Sequence, residues 1–126
     1  MDYLPLAFPD AELLACTYLR ARHAGVKVDR KQPATVPAIV VRDDSGPDRG
    51  PLADRRMGFR VCGAEGTHAA TRATAEAVAA SLRVWPLNTP EVVAVDRVRG
   101  PWATSEVDAP PEFYLTAEVT LLGATS

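Results

Sequence analysis

The chain has 126 residues, of which 47% are hydrophobic and 24% charged, and its formal net charge is −2. This length and mixture are typical of one globular domain, which we expect to span residues 1–126. So small a net charge excludes a long-range field that would gather nucleic acid or an anionic membrane, and the longest apolar runs are too short to cross a bilayer. We therefore expect no membrane partner and no specific nucleic-acid binding.

The first quarter of the chain predicts one helix and one short strand. The opening MDYLPLAFPD has no basic residue ahead of its apolar stretch, so we expect no signal peptide. Asp10 opens a helix that Gly25 ends, and residues at positions 13, 14, 17, 18 and 21 recur at helical spacing within it. Residues 26–28 then read as a short strand.

Two further strands flank a long charged stretch. Residues 38–42 (AIVVR) are short, apolar and β-branched, and residues 56–63 (RMGFRVCG) alternate as a half-buried strand does. Together they predict a hairpin with an unusually long connection, residues 43–55. Loops of that length in compact domains are often functional. We call residues 42–56 (RDDSGPDRGPLADRR) the charged segment.

The second half predicts a helix and two long strands. Thr67 caps a helix over 68–84 with an apolar stripe. Strands 91–100 and 112–123 follow, joined by an irregular loop, and the second strand alternates cleanly. This order predicts an α+β fold, with a mostly antiparallel four- to five-stranded sheet and two helices on one face. The predicted core contains Leu13, Tyr18, Phe59, Val61, Val78, Leu82, Leu115 and Val119.

The charged segment is the first candidate for chemistry, because it contains four aspartates and four arginines. Its carboxylates at positions 43, 44, 48 and 54 could bind a metal or act as acid and base. However, they stand among turn-forming Ser, Gly and Pro residues, and the arginines neutralise them locally. The ligand spacing and the closing glutamate of a calcium loop are absent. We interpret the segment as a solvated, mixed-charge loop that faces water or a partner.

The remaining candidates are weaker. Cys16 and His23 share a helix face and Cys62 and His68 flank a turn, but no paired zinc-ligand spacing exists. The CGAEG turn at 62–66 lacks the lysine of a phosphate-binding loop. We therefore predict no catalytic residue, no metal and no cofactor. Two cysteines do not make a disulfide framework, so we expect reduced thiols.

Several signatures occur in one order along the chain: AELLACTYLRA, VPAIVVRDDSGPDRGPLADRRMGFRVCG, THAATRATAEAVAASL, VDRVRGPW and EFYLTAEVTLLG. In this order and spacing the chain resembles the tail terminator (tail-to-head joining) proteins of long-tailed bacteriophages, particularly the actinobacteriophage type. The resemblance implies an α+β fold that assembles as a homohexameric ring in the neck region of the virion, without catalysis or a cofactor. The ring would end polymerisation of the tail tube protein and join the tail to a head-completion (connector) protein, with DNA passing through its lumen.

For such a ring we predict protein-interface residues in the charged segment and one tryptophan near a proline turn. They are Arg42, Asp43, Asp44, Asp48, Arg49, Asp54, Arg55, Arg56 and Trp102. We expect Asp54 and Arg55 to form charge-assisted pairs within or between subunits. We also expect residues 43–55 to be mobile in the free chain and ordered on assembly, and exposed sheet edges, including an edge-like last strand, to serve ring contacts.

Three alternatives stay open from the sequence. One is a head-completion or stopper protein of the same virion neck, which would have a similar size and shape. Another is a small hydrolase that uses the aspartates of the charged segment. The last is a cellular ligand-binding domain.

Overall fold

The computed structural model describes residues 6–106 and 108–125. The prediction that residues 1–10 are not a signal peptide falls partly outside the described part, because residues 1–5 are not in it. Helix α1 spans Ala11–Arg22 and helix α2 spans His68–Arg83, followed by a short 3-10 helix at Trp85–Leu87. The strands are β1 (Leu6–Ala7), β2 (Lys27–Asp29), β3 (Ala38–Asp43), β4 (Asp48–Arg49), β5 (Leu52–Cys62), β6 (Val92–Ala103), β7 (Glu112–Leu122) and β8 (Ala124–Thr125).

Both predicted helices are confirmed, and their ends differ in chemistry. The Asp10 side chain accepts a hydrogen bond from the backbone N–H of Leu13 at 3.1 Å, which is the expected N-cap of α1. The predicted side-chain cap of α2 is wrong, because the Thr67 hydroxyl donates instead to the carbonyl of Ala64 at 2.6 Å. In the described part of the chain, neither α-helix is long and apolar enough to span a bilayer.

The main sheet has six strands, which run in the order β2-β3-β5-β7-β6 with β4 beside β5. A separate two-stranded ribbon joins β1 to β8. The α+β fold and the mostly antiparallel sheet are confirmed. One pairing is parallel, because β2 runs in the same direction as β3 from the pair Lys27↔Ala38. Residues 30–37 carry the chain back along β2, so that β3 begins beside the first residue of β2 and runs in the same direction.

Strand β7 lies between β5 and β6, so the last long strand is central, and the expectation of an edge-like strand is wrong. Its clean alternation arises because one sheet face is buried and the other is half-exposed, not because an edge is free. The irregular loop was also placed too early, since β6 continues through Pro101 and Trp102 to Ala103. Pairs such as Trp102↔Tyr114 extend the sheet to that point.

The core lies between the two helices and one face of the sheet. Register sets Ile39, Val61 and Phe113 side by side, and Val41, Phe59 and Leu115 form the next row. Every predicted core residue is buried except Leu13, which is 52% exposed. The stripe of α1 is displaced from the predicted one because small side chains fill it: its buried residues are Ala11, Ala15, Cys16, Tyr18 and Leu19.

The opposite face of the sheet carries polar and charged side chains, and we call it the open face. Along β7 it presents Tyr114, Thr116, Glu118 and Thr120, all half-exposed. The neighbouring strands add Arg42, Asp54, Arg56 and Arg60, which register places level with those β7 residues or one strand away. An antiparallel sheet with one buried and one solvated face is an ordinary arrangement, so the pattern of charges on the open face is the informative feature.

Candidate functional site

The charged segment is not a long loop but the outer half of one continuous hairpin. The backbone N–H of Asp44 donates to the carbonyl of Arg56 at 2.7 Å, and the N–H of Arg56 donates to Ser45 at 3.0 Å. Further out, the N–H of Asp54 donates to Pro47 at 2.9 Å. The predicted 43–55 connection is therefore wrong in length, because both arms of the segment pair with each other.

The hairpin turn itself comprises Gly50 and Pro51, between the paired residues Arg49 and Leu52. Gly50 has φ +59°, the sign that a type II′ turn requires at its first central position, where glycine is favoured. The Pro51 carbonyl accepts a hydrogen bond from the Gly123 N–H at 2.8 Å. The tip is thus fixed to the end of β7, and the mobility expected for the segment stays a prediction.

Gly46 explains how the two arms approach so closely. A Cβ atom at this position would collide with the backbone carbonyl of Asp54 on the opposite arm. Backbone atoms cannot rotate away as a flexible side chain does, so the position requires glycine. Next to it, Ser45 has φ +69°, which makes the arm irregular there.

Ion pairs within the hairpin involve three of the four arginines. Arg42 Nε lies 2.8 Å from Asp44 Oδ1, and Arg55 Nη1 lies 3.1 Å from Asp48 Oδ1. Arg49 holds Asp54 through two nitrogens, at 2.5 and 3.0 Å. The expected charge-assisted pairs of Asp54 and Arg55 therefore form within one chain; whether these residues also contact a partner stays a prediction.

Asp54 has the most strongly organised carboxylate of the segment. Hydrogen bonds from Arg49, and secondarily from the Thr120 hydroxyl at 3.0 Å, hold the pKa of Asp54 below its ordinary value. The carboxylate is thus kept ionised as an acceptor within the hairpin. A general acid or base at neutral pH needs the opposite, a raised pKa.

The four aspartates of the segment do not converge on one point. Asp44 and Asp54 line the open face, whereas Asp43 is paired in register with the core-face residue Met57. Asp43 instead accepts a hydrogen bond from the Ser45 N–H at 2.7 Å. Within residues 6–106 and 108–125, no group of three or more acidic, histidine or cysteine side chains is placed to hold a metal ion.

Arg55 is the least exposed arginine of the segment, and it lies on the helix side of the sheet. Register pairs it with the buried Val119, and its guanidinium lies 5.9 Å from the ring centroid of Phe8. It also donates to the Gly46 carbonyl at 3.1 Å. Arg55 therefore holds the hairpin to the end of the core, which makes its predicted contact role secondary to a structural one.

Trp102 joins the open face at the end furthest from the hairpin tip. It is 44% exposed and meets Tyr114 edge-on at 5.7 Å between ring centroids. The Tyr114 hydroxyl accepts a hydrogen bond from Arg42 Nη2 at 3.3 Å, and its position over Gly58 leaves no room there for a Cβ. The structure thus links Trp102 to the charged segment through a tyrosine that sequence reasoning did not assign.

Two clefts mark the open face. The larger, of about 750 Å³, runs along the hairpin and is lined by Asp44, Arg49, Asp54, Arg56, Asp96, Glu118 and Thr120, among others. The smaller, of about 270 Å³, lies over β7 between side chains of β5 and β6. It is lined by Arg56, Arg97, Arg99, Thr116, Ala117 and Glu118. Arg97, Arg99 and Glu118 were missed at the sequence level. The alternation of 112–123 already predicts that Glu118 lies on a polar face. The two arginines could not be placed in the same way, because bulges interrupt the alternation of β6.

Both edges of the main sheet are obstructed. Three register shifts interrupt β6, Arg97 within it has φ +51°, and Pro101 has no N–H to donate. At the other edge, Arg20 Nε donates to the Val28 carbonyl of β2 at 2.9 Å. Bulges, proline and capping side chains are the features that prevent strand addition, so they disfavour the edge contacts expected from the sequence.

The cysteine and histidine residues have ordinary structural environments. Cys16 and Cys62 are free and buried, and burial raises the pKa of both thiols. The His23 ring is 2.9 Å from the Ser81 hydroxyl, and burial lowers the pKa of this histidine. The His23–Ser81 contact joins the end of α1 to α2, whereas the Cys62 thiol at the end of β5 lies 3.9 Å from Gln32 Oε1.

No family model matches the chain, and no curated protein shows a significant match to it. Function must therefore be inferred from the residues and their geometry.

Proposed function

We propose that this protein is a structural component of a bacteriophage virion, a tail terminator. In this proposal it forms a homohexameric ring at the head-proximal end of the tail tube. The ring ends polymerisation of the tube protein and offers its other side to a head-completion protein. The resemblance spread over most of the chain supports this function, and the α+β fold agrees with what the resemblance implies.

The observation that carries the proposal is a hydrogen-bonded, mixed-charge face on a body covered by helices on only one side. Ring subunits meet head to tail through two different surfaces, and such contacts need charges held in fixed positions. Here the charged side chains belong to adjacent long strands. Backbone hydrogen bonds join the hairpin arms, and Gly46 lets the two arms approach closely. Complementary charges of this kind contribute more to register and partner choice than to raw affinity.

The way the carboxylates are used also favours a contact role over the hydrolase alternative. Asp48 pairs with Arg55 and Asp54 with Arg49, so two of the acids hold the hairpin together. A hydrolase that works through a pair of carboxylates needs both directed at one substrate, with at least one pKa near the working pH. The pKa of Asp54 is instead lowered by its hydrogen bonds.

The tip end of the sheet adds apolar contact area beside these charges. Leu122 is exposed there and is the register partner of Leu52. The start of β6 presents the exposed Val93, and the 3-10 helix before it carries Leu87, which is 84% exposed. Exposed apolar residues next to charged ones resemble the centre and rim of a protein interface. In the proposed assembly this end contacts a neighbouring protein of the tail or neck.

The test is the mass of the full chain in solution, with and without the tail tube protein of the same virus. We expect an assembly of about six times the 13.5 kDa chain, formed alone or on the tube. A protein that stays monomeric and ignores the tube would contradict the proposal. Binding to the connector side without any effect on tubes would instead identify a head-completion protein. Turnover of a small molecule that is lost in D43N/D44N/D48N would identify a hydrolase.

A further inference from the structure

The smaller cleft of the open face concentrates positive charge. Arg56 from β5 and Arg97 from β6 both approach one carboxylate, Glu118, at 4.0 and 3.4 Å. Arg99 lines the same cleft and forms no ion pair within the described part of the chain. Asp96, which is the register partner of Glu118, lines the neighbouring cleft along the hairpin. Three guanidinium groups thus line the cleft with one carboxylate, and the adjoining Asp96 reduces but does not cancel the excess of positive charge.

Local backbone geometry fixes the direction of these arginines. Arg97 has φ +51°, a left-handed conformation that costs energy for any residue with a Cβ. It lies within the register shift between Asp96 and Arg99. Bulges of this kind redirect side chains, and here they bring two arginines of one strand to the same cleft. The side chains of Arg56 and Arg97 are 71% and 66% exposed, so their donors are available to another molecule.

The chain also carries the complementary charge, at the far end of the sheet. The loop at 63–67 and the described residues 104–106 and 108–111 are neighbours there, since the Gly63 N–H donates to the Pro111 carbonyl at 3.0 Å. Exposed on these loops are Glu65, Glu106 and Asp108, which form no ion pair among the described residues. The whole chain has a net charge of −2. Since the arginine cleft is positive, the rest of the chain carries a net negative charge larger than that.

We propose that the arginine cleft of one copy binds the carboxylates of Glu106 and Asp108 of the neighbouring copy. The inference rests on the proposed function, since it names the surfaces by which ring subunits meet. The two surfaces are different, as a head-to-tail contact requires. Guanidinium groups bind carboxylates through paired N–H donors, so each acid gains charge-assisted hydrogen bonds. Bulges and capping side chains at the sheet edges disfavour strand pairing between copies, and a face-to-loop contact does not need it.

A reciprocal charge swap in the full-length chain tests this contact. R97E/R99E and E106R/D108R should each weaken self-association by about 100-fold or more, measured by sedimentation, because like charges then face each other across the contact. Mixing the two variants should restore assembly, since the Glu cleft then meets the Arg loop and the Arg cleft meets the Glu loop. R72E/R83E, with the same charge change on α2, is the control that should assemble normally.

The outcomes separate the two proposals. If the wild-type chain assembles and R97E/R99E assembles as well, the contact is wrong while the ring remains supported. If both variants lose assembly and mixing does not restore it, the arginine cleft binds something other than these acids. A fluorescent DNA duplex tests one such occupant: DNA binding that R97E/R99E loses, with unchanged self-association, would assign the cleft to phosphates. A wild-type chain that remains monomeric with tube protein contradicts both.

Discussion

Gly46→Ala is the sharpest test of how the charged segment is folded. The added Cβ would collide with the Asp54 carbonyl, whose carbon atom would lie only 3.0 Å away. The two arms must then separate, which strains the pairing and weakens the hydrogen bond from the Asp54 N–H to Pro47. Overpacking of this kind costs about 1–3 kcal/mol, and a weakened backbone hydrogen bond adds about 1 kcal/mol.

We therefore expect Gly46→Ala to lower the free energy of unfolding by about 2–4 kcal/mol in urea titrations. The opposite effect is expected if residues 43–55 are a mobile loop, because replacing an unconstrained glycine with alanine stabilises a protein by about 0.4–1 kcal/mol. The rate of amide hydrogen exchange in the segment is a second, independent measurement. Protected amides at Asp44, Asp54 and Arg56 are expected for the hairpin. A neutral or stabilising substitution together with rapid exchange at these amides would refute it.

Three further predictions concern the core, the acid sensitivity of the hairpin and the open face. Phe59→Ala should cost about 3–5 kcal/mol in urea unfolding because the ring is fully buried, whereas the exposed Leu13→Ala should cost under about 1 kcal/mol; equal effects would contradict the assigned core. The pKa of Asp54 is lower folded than unfolded, so its contribution to stability is present above the unfolded pKa and is lost as pH falls through the folded pKa. Asp54→Asn should therefore reduce the loss of stability below about pH 4, and an unchanged pH profile would count against the ion pair. Trp102→Phe should shift the intrinsic fluorescence to shorter wavelength, because only the fully buried Trp85 then emits; an unshifted spectrum would mean that Trp102 is not on the surface.

Much of the fold could be predicted because the periods of its main elements are regular. The stripe of α2 and the alternation of β7 involve residues such as Val78, Leu82 and Leu115, whose burial follows directly from spacing. The stripe of α1 was displaced because Ala15 and Cys16 contribute little to an apolar pattern dominated by Leu13. Long-range pairing, such as the parallel β2 strand, has no local signal.

The charged segment was misread for a different reason. Its Gly, Pro and Asp residues are typical of loops, and the pairing of its arms is carried by backbone groups that composition does not reveal. Once β5 is known to begin at Leu52, alternation puts Asp54 and Arg56 on the open face and Arg55 on the helix side. Arg97 and Arg99 could not be assigned in this way, because bulges break the two-residue period of β6.

The most direct measurement is the length distribution of tail tubes assembled from their purified protein in the presence and absence of this chain, observed by electron microscopy. The proposed function predicts that tubes stop growing when the chain is added and carry a ring of extra density at one end only. Tubes of unchanged length with two bare ends would contradict it.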